Sequence, residues 1–407
     1  MRILMVSTYG FDPRFPGWPE YLQARALAAR GHAIAACEYA DPKHPARAAR
    51  RAWLPGGIAL RRSRTFGFVA PVALLRMLLD PRPDIIHIHH MRNLLSFQTV
   101  VLARRLGIPV VMTPHGLLHD GDLVVDRERP LEAPLRFDGP VFSVRRLAMR
   151  LARGAHPRRA TRNYLIHAPL RLVDGVVALS EHERGICEHL GIAGTRIVVL
   201  PNAVDLAMFD RLAQETAVTP DPADPLVLYI GQLVPRKGYD LLARAIPAIV
   251  RAAPRARFLF ISHNLQGEAD LRHILAEEGV GDRVELRYGV SEADKVALLR
   301  AATVVVAPSR YEGFGIPLIE AMAARRPVVT TDVPACNEVV RHEENGLLVP
   351  YADVDALAAA IVRLLHDEAL AHRLGEAGRC NVEERYDAPR LAAALEMWYR
   401  HVREGYL

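Results

Sequence analysis

The chain has only four cysteines among its 407 residues, and no two of them form a CxxC pair. They are Cys37, Cys187, Cys336 and Cys380. Cysteines scattered in this way favour neither a zinc site nor a disulfide framework, and we predict no bound metal. A reducing, cytoplasmic location fits this usage best.

Long apolar runs are missing as well. The longest one, Phe68–Leu79, contains Arg76 and is shorter than the ~20 residues that a membrane-spanning helix needs. The N-terminal run Ile3–Val6 is too short for the apolar region of a signal peptide. We therefore expect neither a transmembrane helix nor secretion.

Lysine is scarce, because only three of the 52 basic side chains are lysines, namely Lys43, Lys237 and Lys295. The net charge is nevertheless +6, and arginines accumulate without any acidic residue between Val141 and Arg162. They are Arg145, Arg146, Arg150, Arg153, Arg158, Arg159 and Arg162.

The segment Val144–Leu151 within this basic region would place its apolar side chains on one face if it were helical. Such a helix suits an anionic membrane surface, and a helix that is simply solvated is the alternative. The surrounding insertion, Leu117–His167, is longer than ordinary connections, and long insertions often serve substrates. Nucleic acid is not an expected partner, because no nucleic-acid-binding motif accompanies the charge.

Strand-like runs alternate with longer helical stretches along the chain. They are Arg2–Ser7, Ala33–Tyr39, Asp84–His89, Pro109–Thr113, Gly175–Ser180 and Ile197–Leu200, then Leu226–Ile230, Arg257–Ser262, Arg283–Tyr288, Thr303–Ala307 and Pro327–Thr331. This alternation predicts βαβ units and parallel sheets, and the chain length suits two domains. We predict two Rossmann-like α/β domains, residues 1–215 and 216–387, followed by a helix.

A glycine-rich loop joins a predicted strand to a predicted helix within Ser309–Ala323. Thr303–Ala307 is the apolar strand, and Pro317 suits the first helical turn, where a missing N–H costs nothing. The dipole and the unpaired N–H groups of this helix end favour a bound anion such as a diphosphate. The residues at this end are Gly313, Phe314, Gly315 and Ile316.

Two glutamates flank the start of that helix. Glu312 precedes it and can accept hydrogen bonds from sugar hydroxyls, while Glu320 lies about one turn inside it and can hold a ribose diol. The alternative is that both are ordinary surface glutamates. Together with the anion-binding helix end, they predict a site for a sugar nucleotide.

A second loop, after the strand Leu226–Ile230, is basic and ends at Gly238. Lys237 could meet a diphosphate as a point charge, and Arg236 could form a bidentate contact with its oxygens. A solvated surface lysine is the alternative. The scarcity of lysine in this chain favours a role for Lys237.

These motifs together resemble the retaining GT-B glycosyltransferases of family 4, also called group 1. The resemblance rests on Glu312-x7-Glu320 with its Glu-Ala-Met-Ala continuation, on the Gly231–Gly238 loop, on Leu200–Asp205 and on the N-terminal Met1–Ser7 strand. It covers nearly the whole chain. It implies two Rossmann-like domains facing across a cleft, an acceptor domain first and a donor domain second, with the C-terminal helix, about residues 388–407, crossing back onto the first domain.

The resemblance also implies an activity. A sugar would move from a nucleoside diphosphate sugar, the co-substrate, to an acceptor hydroxyl with retention of anomeric configuration and without a metal or other cofactor. The acceptor would be a glycan or a lipid-linked molecule, as in polysaccharide, glycolipid or other glycoconjugate synthesis. A peripheral position on the inner face of the membrane would fit the basic segment.

Site residues follow from the matching positions. His115, Lys237 and Glu312 would be catalytic, with His115 contacting the transferred sugar. Donor contacts would come from Gly17, Arg236, Lys237, Gly289, Val290, Glu312, Gly313, Phe314, Gly315, Ile316 and Glu320. Acceptor contacts are not assigned, and the candidates are Trp18, Arg145, Arg146 and Arg150.

This chain departs from the family pattern at some positions, so other functions remain open. Gln232 stands where many members have an arginine, and Trp18 replaces the second of two glycines. A sugar-nucleotide epimerase of the same architecture and a non-catalytic partner protein are the alternatives. His115 could instead be structural, and His87 and His89, which share one face of a strand, are more consistent with packing than with a metal site.

Overall fold

The computed structural model describes residues 1–8, 10–39, 51–63, 71–90, 94–116, 143–215, 221 and 223–405. Much of the insertion Leu117–His167 and most of the region around the predicted boundary at 215/216 lie outside these ranges. The chain divides into two compact units, Met1–Pro201 with Ala388–Leu407, and Asn202–Asp387. Each unit has its own sheet of mainly parallel strands, which confirms the predicted fold class.

The described residues of the first unit form an eight-stranded sheet in the order β3-β4-β2-β1-β5-β6-β7-β8. Its strands are β1 (Arg2–Val6), β2 (Ala33–Tyr39), β3 (Arg51–Leu54), β4 (Ile58–Ser63), β5 (Ile85–His89), β6 (Val110–Thr113), β7 (Gly175–Ala178) and β8 (Ile197–Val199). Its helices are α1 (Pro19–Ala29), α2 (Pro71–Leu79), α3 (Leu94–Arg105), α4 (Val144–Ala152), α5 (Pro157–Leu172), α6 (Glu181–His189) and, at the C-terminus, α15 (Ala388–Glu404). All neighbouring strands are parallel except the edge pair β3 and β4.

That antiparallel edge pair was not predicted. Its turn, Pro55-Gly56-Gly57, carries a clear turn signal, but β4 is rich in arginine and Trp53 of β3 is 78% exposed. Edge strands need only one buried face and can be short, so their apolar pattern is weak. The buried central strands, in contrast, are continuous apolar runs and were predicted to within two residues.

The C-terminal helix α15 packs in the first unit. Leu395, Tyr399 and Val402 are buried in the core formed with Ile3 and Met5 of β1. Its residue Glu396 accepts a hydrogen bond of 2.7 Å from Arg30, just beyond α1. No helix among the described residues has both the length and the apolarity that a membrane span requires.

The second unit has a six-stranded parallel sheet in the order β11-β10-β9-β12-β13-β14. Its strands are β9 (Leu226–Ile230), β10 (Arg257–Ser262), β11 (Val284–Tyr288), β12 (Val304–Ala307), β13 (Val328–Thr331) and β14 (Leu347–Val349). Its helices are α7 (Leu206–Glu215), α8 (Tyr239–Ala252), α9 (Glu268–Glu277), α10 (Glu292–Ala301), α11 (Ile316–Ala323), α12 (Cys336–Val339), α13 (Val354–His366) and α14 (Glu368–Arg385).

The strand order of this second sheet reverses between β9 and β12. From β9 the chain proceeds outward through β10 and β11, and from β12 it proceeds in the opposite direction. Loops that leave two such neighbouring strands diverge and open a crevice at their carboxyl ends, where α/β proteins bind ligands. The two motifs singled out from the sequence are the loops that follow β9 and β12.

Residues 202–215 belong to the second unit, whereas the sequence analysis assigned them to the first. The guanidinium of Arg379 in α14 explains this, since it makes two hydrogen bonds of 2.7 Å to the carboxylate of Asp210 in α7. It also donates to the carbonyl of Ala323 at 3.0 Å. A boundary set by long-range pairing of this kind leaves no local signal in the sequence.

The loop after β9 depends on Gly238. This residue has φ of +65° and links a 3₁₀ turn, Pro235–Lys237, to α8. A Cβ atom at this position would lie 1.8 Å from the carbonyl oxygen of Pro308, which follows β12. Only glycine therefore allows the two loops to approach each other as closely as they do.

We expect Gly238→Ala to lower the free energy of unfolding by about 3 kcal/mol, from a left-handed backbone penalty and steric overlap together. Gly289→Ala is the matched control, because Gly289 has φ of +59° but nothing lies within 4 Å of the added Cβ. This control should cost only the backbone penalty, about 1 kcal/mol. Urea unfolding of the two variants measures the difference, and equal losses would contradict the close approach of the loops.

Candidate functional site

The helix α11 begins directly after the glycine-rich loop. Gly315 caps its N-terminus with φ of +97°, and Pro317 lies in its first turn, as predicted. The first N–H groups of a helix have no acceptor within the helix and carry its positive dipole end. The buried ring of Phe314 packs edge-on against Tyr386, with 5.6 Å between ring centroids, and so anchors the loop.

Lys237 and Glu312 meet at the crevice between β9 and β12. The Nζ atom of Lys237 donates a short hydrogen bond to Oε1 of Glu312. Ser309 donates its hydroxyl to the same oxygen at 2.8 Å. Both charged side chains are largely buried, with 16% and 7% exposed. The structure thus joins the two residues for which the sequence predicted separate contacts with diphosphate and sugar.

A small cavity adjoins this ion pair, lined among others by Tyr229, Lys237, Ser309 and Cys336. Burial, and then the charge of Glu312, raise the pKa of the Cys336 thiol to about 12. The thiol is therefore protonated at neutral pH and unsuited as a nucleophile. The hydroxyl of Tyr229 donates to the carbonyl of Gln232 at 3.0 Å and so supports the basic loop from inside.

Gln232 occupies the position where many family members have an arginine. Its side-chain oxygen accepts a hydrogen bond of 3.1 Å from the guanidinium of Arg236. The backbone carbonyl of Arg236 in turn accepts from the N–H of Arg310, at 2.8 Å, in the other loop. Gln232 therefore orients the neighbouring arginine instead of supplying a charge itself.

Glu320 lies in the second turn of α11 and is 8% exposed. Its Oε1 atom accepts a hydrogen bond of 2.6 Å from Nζ of Lys295, which is also 2.8 Å from Oε1 of Glu292. Lys295 and Glu292 both belong to α10. This cluster was not predicted from the sequence, although the i,i+3 spacing of Glu292 and Lys295 and the rarity of lysine could have indicated it.

Electrostatics in this cluster favour a charged lysine. Burial raises the pKa of Glu320, the ammonium of Lys295 opposes that rise, and the carboxylate of Glu292 adds to it. For Lys295, burial lowers the pKa, but the two carboxylates outweigh burial and raise it overall. Lys295 is therefore protonated throughout the physiological pH range.

The other predicted donor residues of this unit lie at the end of β11. Gly289 donates its backbone N–H to the carbonyl of Ser262, at the end of β10, over 3.2 Å. Val290 follows it and is half-buried. Both residues lie at the same edge of the sheet as the loops after β9 and β12.

Polar residues of the first unit gather at the carboxyl ends of β1, β5 and β6. His90 follows β5 and bonds through Nε2 to Oε1 of Glu20 in α1, at 2.8 Å. His115 follows β6 and bonds through Nε2 to Nδ1 of His89, at 2.9 Å. His90 and His115 both have positive φ, +63° and +58°, a strained conformation that is common at functional sites.

Glu20, His90 and His115 offer ligand atoms that all lie within 4.8 Å of one another, so they could hold a metal ion. This grouping of three residues was not predicted from the sequence. Burial, and then the charge of His90, lower the pKa of His115 to about 3, so its imidazole is neutral. The charge of Glu20 opposes this shift only in part.

His87 has a structural role in the core of the first unit. It is fully buried, and its ring nitrogens bond to the hydroxyls of Tyr399 in α15 at 2.6 Å and Thr113 in β6 at 2.7 Å. Its ring also packs on His89, with 4.2 Å between centroids. Packing is what the sequence analysis favoured for this pair.

Glu183, which the sequence analysis missed, holds the loop that carries His115. Its buried carboxylate accepts hydrogen bonds of 2.8 Å from the backbone N–H groups of Gly116 and Leu179. The pattern Ser180-x-x-Glu183 is typical of a helix N-terminus and would have revealed the cap. It would not have revealed the bond to Gly116, which is distant in the chain.

The acceptor candidates lie in two places in the first unit. Trp18 precedes α1 and stacks on Phe15, with 4.8 Å between centroids. Gly17 is next to it and is half-buried. The arginines of α4 are exposed or half-buried, and α4 has no buried residue. They are Arg145, Arg146 and Arg150.

Relatives of known function cover part of this chain. A phosphatidyl-myo-inositol mannosyltransferase of Mycobacterium leprae is 33% identical over 213 residues, which are 51% of this chain and 54% of that protein. A D-inositol 3-phosphate glycosyltransferase of Nocardia farcinica is 32% identical over 235 residues, or 55% and 52% of the two chains. The chain thus spans about half the length of the curated relatives it matches.

Solved structures match almost the whole chain. A sucrose-phosphate synthase from Thermosynechococcus elongatus superposes with a TM-score of 0.75 at 23% identity and covers 99% of both chains. The Anabaena HepE protein in complex with UDP-glucose gives a TM-score of 0.70 at 17% identity, with 98% of both chains covered. At these identities the likeness shows the fold.

Two family models cover most of the sequence. The model for glycosyltransferase family 4 matches residues 21–208, and the model for glycosyl transferases group 1 matches residues 210–380. The chain therefore belongs to the group 1, family 4 glycosyltransferases and has their GT-B fold, as its motifs predicted.

Proposed function

We propose that this protein transfers a sugar from a nucleoside diphosphate sugar to an acceptor hydroxyl, with retention of anomeric configuration and without a metal ion. The observation that carries the proposal is the Lys237–Glu312 ion pair at the point where the strand order reverses, beside the N-terminus of α11. The positive Lys237 can bind the charged diphosphate of such a donor, and the negative Glu312 beside it can accept hydrogen bonds from the hydroxyls of the neutral sugar. The UDP-glucose complex of a protein with the same fold supports a nucleotide-sugar donor.

The diphosphate would bind at the positive side of this site. Lys237, Arg236 and the N–H groups at the start of α11, from Gly313 to Ile316, are the anion-binding groups. Lys237 is paired with Glu312 in the structure. A diphosphate would replace Glu312 as its counter-ion, and the released carboxylate would then accept hydrogen bonds from the sugar.

Departure of the nucleoside diphosphate would be the step that these groups favour. Negative charge develops on the leaving oxygen as the anomeric bond breaks, and fixed positive groups in a largely buried site stabilise that charge. The departing phosphate would take the proton of the acceptor hydroxyl. His115, which is neutral, would contact the transferred sugar as a hydrogen-bonding group and not as a cation.

The first test is nucleotide binding. We expect one of UDP, GDP and ADP to bind the full-length protein, and Glu320→Gln to weaken that binding about tenfold or more, because a charge-assisted hydrogen bond to ribose is lost. Glu376→Gln is the control, since Glu376 pairs with Arg325 at the surface. Isothermal titration calorimetry measures both. Absence of any nucleotide binding would favour the non-catalytic alternative.

The second test concerns stereochemistry and metal. With the preferred donor and an accepted acceptor, we expect NMR to show the donor's anomeric configuration in the product, and chelation by EDTA to leave the rate unchanged. Inversion would overturn the retaining mechanism. Loss of activity that Mg²⁺ or Zn²⁺ restores would overturn metal independence and direct attention to Glu20, His90 and His115.

The acceptor side of the proposal involves an anionic membrane surface. In α4 the apolar Val144, Met149 and Leu151 are 66%, 42% and 38% exposed, and arginines alternate with them. An amphipathic helix of this composition lies readily in the interface of an anionic bilayer. A lipid-linked acceptor would be presented there, and the named mannosyltransferase relative fits that setting.

Vesicle binding tests this part. Replacing Arg145, Arg146 and Arg150 by glutamine should weaken binding to phosphatidylglycerol vesicles by about tenfold or more, since each arginine near such a surface contributes ~1 kcal/mol. The control replaces Arg272, Arg283 and Arg287, exposed arginines of the second unit. Co-sedimentation measures both triple variants. Equal binding of the two, or no binding by the wild type, would exclude α4 as a membrane anchor.

A further inference from the structure

Lys295, one of only three lysines in the chain, is largely buried. Its ammonium lies between two carboxylates, 2.6 Å from Glu320 and 2.8 Å from Glu292. The three side chains are only 10% to 17% exposed. A buried lysine must be paired in this way, because an unpaired ammonium would lose its hydration without compensation.

The surrounding elements fix this geometry. The side chain of Ser291 caps α10 by accepting a hydrogen bond from the backbone N–H of Asp294. Glu292 and Lys295 are three residues apart in this helix and therefore lie on the same face. Helix α11 carries Glu320. Strand β12 lies between the two helices in the chain.

Within the part of the chain that the structure describes, only one oxygen of Glu320 accepts a hydrogen bond. This oxygen is Oε1, and its donor is Lys295. With both carboxylates ionised, the cluster of two carboxylates and one ammonium has a net charge of −1. Such a cluster can accept hydrogen bonds from a hydroxyl group but repels a phosphate.

We propose that Lys295 is a positioning residue that holds Glu320 for recognition of an unsubstituted ribose diol of the donor nucleotide. This inference rests on the proposed function. Lys295 fixes Oε1, and so directs Oε2 toward the ribose hydroxyls. It also opposes protonation of Glu320, which a buried carboxylate beside Glu292 would otherwise favour.

A test must separate positioning from folding. Removing Lys295 alone would leave two adjacent buried carboxylates and destabilise the unit. The double variant Lys295→Met/Glu292→Gln avoids this, because it leaves Glu320 as the single carboxylate of the cluster and nearly conserves the side-chain volumes. Glu292→Gln alone is the matched control, since it keeps the Lys295–Glu320 pair.

The measurement is calorimetric binding of whichever of UDP, GDP and ADP binds most tightly, together with its 2′-deoxy analogue. The wild type and Glu292→Gln should prefer the ribose form by roughly tenfold, the effect of one charge-assisted hydrogen bond. The double variant should bind the ribose form about tenfold more weakly and lose most of its preference over the deoxy form. A general structural role would weaken both ligands equally and leave their ratio unchanged.

Lys295→Leu/Glu292→Gln covers the case in which the methionine variant does not fold, because leucine is also apolar and likewise donates no hydrogen bond to Glu320. The same fall in discrimination is expected. Wild-type discrimination in either folded double variant would overturn the role of Lys295 while leaving the proposed function intact. Absence of nucleotide binding in the wild type would overturn the proposed function and this inference with it.

Discussion

The reversal of strand order between β9 and β12 is the constraint on which the candidate donor site depends. Two parallel strands lie side by side, yet the chain leaves them in opposite directions, so their loops diverge and leave a crevice. Gly238 lets the base of one loop touch Pro308 at the base of the other. Lys237 and Glu312 then face each other across the crevice at hydrogen-bonding distance. Without this topology the two motifs would be unrelated surface loops.

Charge is divided within this site. The start of α11 and the basic loop are positive, whereas the cluster of Glu292, Lys295 and Glu320 is negative overall. Two of the three lysines of the chain pair with the two glutamates of the Glu-x7-Glu motif. An ammonium is more compact than a guanidinium and fits between buried carboxylates, which explains lysine at these positions in a chain dominated by arginine.

The first unit also has a reversal of strand order, but mainly histidines lie near it. Its strand order reverses between β1 and β5, and the polar residues near the carboxyl ends of these strands and of β6 include Glu20, His89, His90 and His115. Burial keeps His115 neutral, and Glu183 fixes its loop. Gly10 also matters here, because a Cβ on it would lie 2.7 Å from the carboxylate carbon of Glu20. These contacts stabilise the strained backbone conformations of His90 and His115.

Local sequence patterns were enough to predict the two α/β units, nearly all central strands, the helix that starts at Ile316 and the family, because continuous apolar runs, glycines and prolines act locally. Tertiary structure alone decided that Lys237 pairs with Glu312, that Lys295 holds Glu320, and that Glu183 caps the loop of His115. It also decided that residues 202–215 join the second unit through Arg379 and Asp210. These partners lie 25 to 169 residues apart in the chain, and only the packing of helices and strands brings them together.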